Sequence, residues 1–221
     1  MGDDSTSTTM SSQPYSSKQS SLFLMFKYYI EGQHWTKLRK ELARKAGTNR
    51  CTAERDESGL SLLGMAFGFE APLDIIKAIL EMDPTQADSR DNFGASPLHV
   101  ACLNGASAEA VLYLLHKCQH LASLPDTDRR IPLHHAVECL CRNEIQFNEG
   151  IQIINALVEV YPDSIHASDK HMHSPIDIVQ LVRNDARPET KDSNRLAQLY
   201  FVLKGISVRV YTLNKAKYEE K

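Results

Sequence analysis

Two histidines and two cysteines lie within eight residues of each other in the stretch "RRIPLHHAVECLCRN", residues 129–143. His134, His135, Cys139 and Cys141 are all side chains of types that bind zinc. A structural zinc site needs four ligands that converge on one point, and two helical residues only two positions apart do not share a face. A metal-responsive or redox-responsive site built from His135, Cys139 and Cys141 is therefore an alternative rather than the main hypothesis.

The composition of the chain is that of an ordinary globular protein. Of its 221 residues, 42% are hydrophobic and 24% are charged. The net charge of −3 provides no basic face for nucleic acid, so we expect no nucleic-acid partner. Five cysteines at irregular spacings, with no recognisable secretory signal, indicate reduced thiols in the cytoplasm, with the nucleus as the other possibility.

Membrane attachment has little support in the sequence. The longest apolar run, residues 22–30, is far shorter than the roughly 20 residues of a membrane span, so we expect no stable insertion. The opening "MGDDST" fits the loose pattern for myristoylation of Gly2, which leaves a lipid-anchored adaptor as a second alternative. Residues 1–20 contain ten Ser or Thr and almost nothing apolar, so we predict a disordered tail there.

One block of sequence occurs four times along the chain. The copies "DESGLSLLGMA", "DNFGASPLHVA", "DTDRRIPLHHA" and "DKHMHSPIDIV" begin at Asp56, Asp91, Asp126 and Asp169. Each copy predicts a turn and a short apolar helix, which a second amphipathic helix follows. Because neither helix is long enough to be stable alone, the copies are expected to stack side by side.

The spacing of the copies is regular except at the end. The first three begin 35 residues apart and the last interval is 43, an excess of eight that we place in "CLCRNEIQFNEG", in the first helix or the link after it. Arg129 and Met172 stand where Gly94 stands in the second copy. Because a left-handed conformation is costly for residues with a side chain, we expect the third and fourth turns to differ in shape from the second.

These motifs resemble the ankyrin repeat, whose signature is Thr-Pro-Leu-His-x-Ala in a unit of 33 residues. "SPLHVA" at 96–101 and "IPLHHA" at 131–136 match it closely, and residues 174–177 and 61–64 are weaker copies. The resemblance implies an all-α ankyrin-repeat solenoid of about four units. It also implies that the motif histidine is structural, with its ring hydrogen-bonded to the backbone of a neighbouring hairpin loop.

The resemblance covers residues 21–205. Within it, residues 21–46 are predicted to form a pair of N-terminal capping helices, with Trp35, Leu38 and Leu42 on one face. The repeats start near residues 56, 91, 126 and 169, and "NRLAQLYFVLKG", residues 194–205, is predicted to be the last helix. Residues 206–221 are predicted to be a C-terminal tail, either a short strand or a frayed terminus.

The resemblance further implies a protein-binding adaptor or scaffold. We find no nucleophile motif, phosphate loop or zinc-protease motif, and therefore predict that the protein is not an enzyme and uses no cofactor. We also predict that it is a monomer. In ankyrin proteins the partner usually lies along the hairpin tips and the first helices, which form a concave face. Carried over to this chain, the candidate partner-binding residues are Glu57, Ser58, Asn92, Phe93, Thr127, Asp128, Lys170 and His171 at the tips, Ala95, Arg130 and His173 just after them, and Phe69, Leu103, Asn104 and Glu138 late in the first helices.

Two of these candidates are predicted to be the anchors of binding. Phe93 and Arg130 belong to the residue types that carry most of the binding energy at typical interfaces. Arg130 can form two hydrogen bonds with a carboxylate of the partner. The alternative for Phe93 is that its ring covers its own turn.

Overall fold

The computed structural model describes residues 19–45, 54–185 and 191–219, and within these ranges it contains α-helices, short 3₁₀ helices and no strand. All but the last two residues of the predicted disordered tail lie outside the described residues. The α-helices are α1 (Ser21–Glu31), α2 (Trp35–Lys45), α3 (Leu62–Gly68), α4 (Leu73–Met82), α5 (Pro97–Leu103), α6 (Ala108–Lys117), α7 (Pro132–Cys141), α8 (Phe147–Val160), α9 (Pro175–Asp185) and α10 (Lys191–Glu219).

The helices stack in two rows. Helices α1, α3, α5, α7 and α9 form an inner row in which each packs against the next. Helices α2, α4, α6 and α8 form the outer row, and α10 packs on α9 and on the 3₁₀ helix Pro162–His166 that follows α8. Within the described residues this is the all-α solenoid that the repeats predicted. No helix of this part of the chain has the length and apolar character that a membrane span requires.

The core runs between the two rows. Ile79, Leu114 and Leu157, which occupy equivalent places in the outer helices α4, α6 and α8, are each at most 1% exposed. The inner helices α3, α5 and α7 are buried along most of their length because each lies between two inner neighbours and one outer helix. Short helices are therefore stabilised by their neighbours, which explains why the seven residues of α5 remain helical.

The N-terminal helix pair predicted around Gly32 is present, and α1 packs on α3 while α2 packs on α4. Its start differs slightly from the prediction. The Ser20 hydroxyl accepts a hydrogen bond from the Phe23 N–H and donates one to Glu54, and the Gln19 side chain donates to the Arg55 carbonyl. The last two residues of the predicted tail are therefore part of the folded domain.

The hairpin turns of the second and fourth repeats have the same backbone conformation. Met172 has φ +65°, close to the +72° of Gly94, so the prediction that the later turns differ in shape is wrong. The leading aspartate of each turn explains the outcome: Asp169 Oδ1 accepts the N–H groups of His171 at 2.8 Å and His173 at 2.9 Å. These bonds hold the turn strongly enough to force a non-glycine residue into the left-handed region.

The eight extra residues of the third repeat are spread over three elements rather than placed in one. Compared with the second repeat, the first helix α7 is longer by three residues and the link to the next helix by one. The second helix α8 accounts for the remaining four. The insertion therefore extends both helices of the pair and adds almost nothing to the loop between them.

The C-terminal segment is helical, which corrects the prediction of a strand or frayed end after Gly205. Helix α10 continues through Gly205 to Glu219. Leu199, Leu203, Ile206 and Val210 are each at most 7% exposed, at the three- and four-residue spacing of one helix face. Burial of this stripe stabilises the helix in spite of the glycine, which costs roughly 0.5–1 kcal/mol relative to alanine.

The strained turns predict a stabilising substitution. Met172→Gly should raise the free energy of unfolding by about 0.5–1 kcal/mol, because it removes left-handed strain at a residue that is 71% exposed. Urea unfolding followed by circular dichroism measures the change. Gly94→Ala is the matched control and should lower the free energy of unfolding. A lower stability of Met172→Gly would show that the methionine carries no net strain.

Candidate protein-interaction face

The motif histidine joins each middle repeat to the next. His99 Nδ1 lies 3.1 Å from the Ser96 N–H nitrogen, and its Nε2 lies 3.1 Å from the Arg130 carbonyl oxygen. Because a carbonyl oxygen only accepts, Nε2 carries the proton and Nδ1 is the acceptor. Burial lowers the pKa of His99 to about 4, so the ring is neutral. The structural role implied for this histidine is therefore what the structure shows.

His134 makes the same connection one repeat later. Its Nδ1 accepts from the Ile131 N–H at 3.2 Å, and its Nε2 lies 3.3 Å from the His173 carbonyl oxygen. Burial lowers the pKa of this ring as well. Both histidines that match the repeat signature are thus fully used within the fold.

His135 is tied to the turn of its own repeat. Its Nε2 lies 2.9 Å from Asp126 Oδ2, and its ring packs edge-on against His99 with 5.6 Å between ring centroids. Burial raises the pKa of Asp126, but the hydrogen bonds from His135 and from the backbone N–H groups of the turn outweigh it and lower the pKa to about 2. His135 therefore binds the Asp126 carboxylate of its own repeat and does not belong to an open metal-binding site.

The alternative that treats His135, Cys139 and Cys141 as a metal or redox site gains no support. Within residues 19–45, 54–185 and 191–219, no group of three His, Cys, Asp or Glu side chains is placed to hold a metal ion. Burial raises the pKa of Cys139 to about 11 and that of Cys141 to about 12, which leaves both thiols protonated and weakly reactive at neutral pH. Gly2, on which the lipid alternative depends, lies outside the described residues.

Backbone hydrogen bonds connect the hairpin tips into one row. The Thr127 N–H donates to the Phe93 carbonyl at 2.9 Å, and the Lys170 N–H donates to the Asp128 carbonyl at 2.8 Å. The Asn92 N–H makes the equivalent bond to the preceding tip at 3.0 Å. The four tips, which carry eight of the candidate residues, are therefore held in a fixed order and spacing.

Most charged side chains at the tips have partners within the domain. Glu57 accepts a hydrogen bond from Lys27 Nζ at 2.6 Å, and Lys170 Nζ lies 2.5 Å from Asp128 Oδ1. Glu57, Lys170 and Asp128 are all in contact with solvent, so each pair contributes little to stability. Their effect on the surface is to neutralise the tips locally.

Arg130 is also paired internally, which changes the role predicted for it. Its Nη2 donates to Glu138 Oε2 at 2.5 Å, so two of the candidate residues bind each other. Arg142 lies on the other side of the same carboxylate, with Nη1 3.7 Å from Glu138 Oε1. Arg130 is therefore occupied by Glu138 in the unbound domain, and its role as a binding anchor stays a prediction. A partner would have to displace Glu138 from it.

Apolar side chains are exposed at two of the tips and at the end of α3. Phe93 is 68% exposed, so most of its side chain faces solvent rather than its own turn. Phe69, at the end of α3, is 37% exposed. Met172, at the fourth tip, is 71% exposed and was missed because it was considered only as a poor turn residue. Its place in register with Gly94 was the signal that could have identified it.

The remaining candidates divide by exposure. Leu103 and Asn104 border an open groove of about 600 Å³ beside the ends of the inner helices, together with Glu70, Arg142 and Glu144. The exposed candidates are Ser58, Asn92, Thr127, Asn104, Lys170 and His171, and the half-buried ones are Ala95, Leu103, Asp128 and His173.

Comparison with known families agrees with this geometry. A family model described as ankyrin repeats (3 copies) matches residues 62–163, the part of the chain that runs from α3 to the 3₁₀ helix after α8. This part of the chain therefore consists of ankyrin repeats. Ankyrin repeats are generally protein–protein interaction modules and typically are not catalytic. No curated protein matches the chain significantly.

The neutral state of His99 predicts a loss of stability in acid. Because its folded pKa is about 4 against an ordinary value of 6.5, the unfolded chain binds the proton more readily. The neutral His99 ring contributes fully to the free energy of unfolding above pH 6.5. This contribution, up to about 3 kcal/mol, is lost as the pH falls toward 4. Urea unfolding measures the free energy of unfolding at pH 7 and at pH 4. Between these pH values the unaltered protein should lose more stability than His99→Gln, which has no titrating group at this position. Equal losses in the two proteins would contradict the assignment.

The buried thiols predict slow chemical modification. Cys139 and Cys141 should react with N-ethylmaleimide at pH 7 at least about tenfold more slowly in the folded protein than in urea, because both thiols stay protonated. Peptide mass spectrometry resolves the two sites. Rapid modification of Cys139 in the folded protein would revive the redox hypothesis.

Proposed function

We propose that this domain is a non-catalytic adaptor that binds a protein partner through its hairpin tips and inner helices, with Phe93 as the main anchor. The observation that carries the proposal is the 68% exposure of Phe93 on a turn whose backbone is fixed. Its N–H donates to Asp91 at 2.9 Å, and its carbonyl accepts from Thr127. An aromatic ring on a rigid support loses little conformational entropy on binding, which favours high affinity.

The surroundings of Phe93 support a partner that is mainly apolar at its centre. The paired charges of Glu57 and Asp128 present little net charge to it. Met172 at the fourth tip and Phe69 at the end of α3 are further exposed apolar side chains on the proposed face. Aromatic and methionine side chains are enriched at protein interfaces, whereas charged residues are depleted from interface cores.

Arg130 and Glu138 have a second role in this proposal. Their hydrogen bond lies beneath the tips, with the Arg130 side chain 20% and the Glu138 side chain 29% exposed. A partner carboxylate that approached Arg130 would compete with Glu138 for the guanidinium. The pair therefore selects for partners that offer a better placed acidic group, which adds specificity more than affinity.

We also propose that the protein acts as a monomer in the cytoplasm or nucleus, without catalysis or cofactor. The cysteines Cys102, Cys118, Cys139 and Cys141 are free thiols, which fits a reducing compartment. Fractionation of the native cell would test the compartment, and light scattering of the purified chain would test the oligomeric state.

The central prediction concerns Phe93→Ala. The substitution should weaken binding of the captured partner at least about tenfold, because it removes the exposed anchor. The free energy of unfolding should change by less than about 0.5 kcal/mol, because the ring is mostly in solvent. Quantitative affinity capture from native lysate, with full-length bait, measures the first effect, and urea unfolding measures the second.

The matched control is Tyr211→Ala on α10. Tyr211 is an aromatic residue of nearly equal exposure, 67%, but it lies away from the tips. Partners that are lost with Phe93→Ala should be retained with Tyr211→Ala. If the two variants capture the same proteins as the unaltered chain, the tips are not the binding surface.

A further inference from the structure

A groove on the outer row of helices lies away from the tips. It has a volume of about 710 Å³ and runs between α8 and α10. Asn155, Val158 and Glu159 of α8 form one wall, and Phe201, Arg209 and Leu213 of α10 belong to the other. We call this site the α8–α10 groove. It lies at the end of the described array, where α10 packs mainly on α9 and on the 3₁₀ helix after α8 rather than closely along α8.

The wall formed by α10 is unusual for a surface helix. Phe201, Gly205, Arg209 and Leu213 follow one another at intervals of four residues and all line the groove. Phe201 is 69% and Leu213 57% exposed, although both lie on a helix that buries its other face well. Residues four apart form the ridge that packs against other helices. This ridge has an apolar side chain at each end and Arg209 between them, and among the described residues no helix packs over Phe201 or Leu213.

Gly205 makes a notch in that ridge which the domain itself does not need. It lies inside a helix, where glycine is unfavourable relative to alanine. A Cβ atom placed there would meet no atom within 4 Å, and the backbone is not in the left-handed region. No contact among the described residues therefore requires the glycine. A notch between two exposed apolar side chains does allow the backbone or a ridge of another helix to approach closely.

The charges in the groove and along α10 indicate the chemistry of the occupant. Between Leu196 and Ala216, α10 contains Lys204, Arg209 and Lys215 and no acidic residue, and of these three Arg209 lines the groove. Glu159 stands on the opposite wall. An occupant with acidic residues along the flank that meets α10 would be attracted to that wall, whereas acidic residues on its other flank would be repelled by Glu159.

We propose that the α8–α10 groove binds an amphipathic helix of a partner protein, with acidic side chains on the flank that faces α10. The apolar face of this helix crosses α10 at Gly205, between Phe201 and Leu213. The concave shape favours a helix over a flat membrane surface, since a bilayer cannot fill a groove between two helices. A second copy of the chain is disfavoured, because two α10 helices would bring their basic residues together.

The test uses peptides as probes and the full chain as receptor. A displayed library of 18-residue helical peptides is selected on the unaltered protein. We expect the selected sequences to share apolar residues at i, i+3, i+4 and i+7 and acidic residues on one flank. Dissociation constants of the best peptide are then measured by fluorescence anisotropy. Failure to select such sequences, or selection of basic ones, overturns the proposal.

Substitutions in the notch separate binding from stability. Gly205→Ala should raise the melting temperature by about 2–4 °C, because alanine favours the helix and meets open space. Gly205→Trp should weaken peptide binding at least about tenfold by filling the notch, and Arg209→Glu should do so by reversing the charge. Val208→Trp is the matched control on the same helix, at a residue that is 62% exposed and outside the groove, and should leave binding unchanged.

Three further measurements exclude the other occupants. Phe93→Ala should bind the peptide as tightly as the unaltered chain, so that failure at the tips and failure at the groove are distinguishable. Vesicle binding through the groove would be abolished by Arg209→Glu, and sedimentation with phosphatidylserine–phosphatidylcholine vesicles should show none. A dimer formed through the groove would be dissociated by Gly205→Trp, and light scattering should show none. Equal peptide binding by Gly205→Trp and Val208→Trp, or a positive vesicle or dimer result, contradicts the proposal.

Discussion

The Nε2–H of His99 donates to the Arg130 carbonyl of the next repeat, and the Nε2–H of His134 donates to the His173 carbonyl of the repeat after that. The order of the stack depends on these two bonds, because they fix the inner helices α5 and α7 to the hairpins that follow them. Each bond requires a neutral ring whose Nδ1 is occupied by a local N–H. Loss of either partner would leave buried polar groups unpaired, at a cost of about 1–3 kcal/mol per group.

A fixed stack gives the hairpin tips their properties. The leading aspartate closes each turn, and the backbone ladder joins neighbouring turns, so Met172 adopts the conformation of a glycine. The energy stored as strain at the tip is supplied by burial elsewhere in the repeat. The result is a row of turns whose side chains vary freely while their backbones do not. Such a surface can acquire an exposed aromatic such as Phe93 without cost to the fold.

Sequence periodicity predicted the stack well because the spacing of apolar residues marks the positions that are buried, and these positions recur in every copy of the repeat. Ile79, Leu114 and Leu157 could be named from their register alone. Periodicity failed after Gly205, where the alternation of Ile206, Val208 and Val210 suggested a strand. The buried residues of this segment instead follow the three- and four-residue spacing of a helix that packs on α9. Gly205, which is unfavourable inside a helix, made that spacing hard to recognise in the sequence.

The candidate site was predicted less well, because pairing across the fold is invisible to spacing. The sequence predicts Arg130 and Glu138 separately as partner-binding residues, and only the structure shows that they bind each other. The exposed apolar side chains also lie on two separate surfaces. Phe93 lies on the tips and Phe201 on the outer row, and the tips and the α8–α10 groove share no residue. Contacts at two surfaces without shared residues add nearly independently, so a ligand at one does not exclude a ligand at the other. Occupation of both proposed surfaces would let this domain hold two proteins at once, which is the physical requirement for an adaptor.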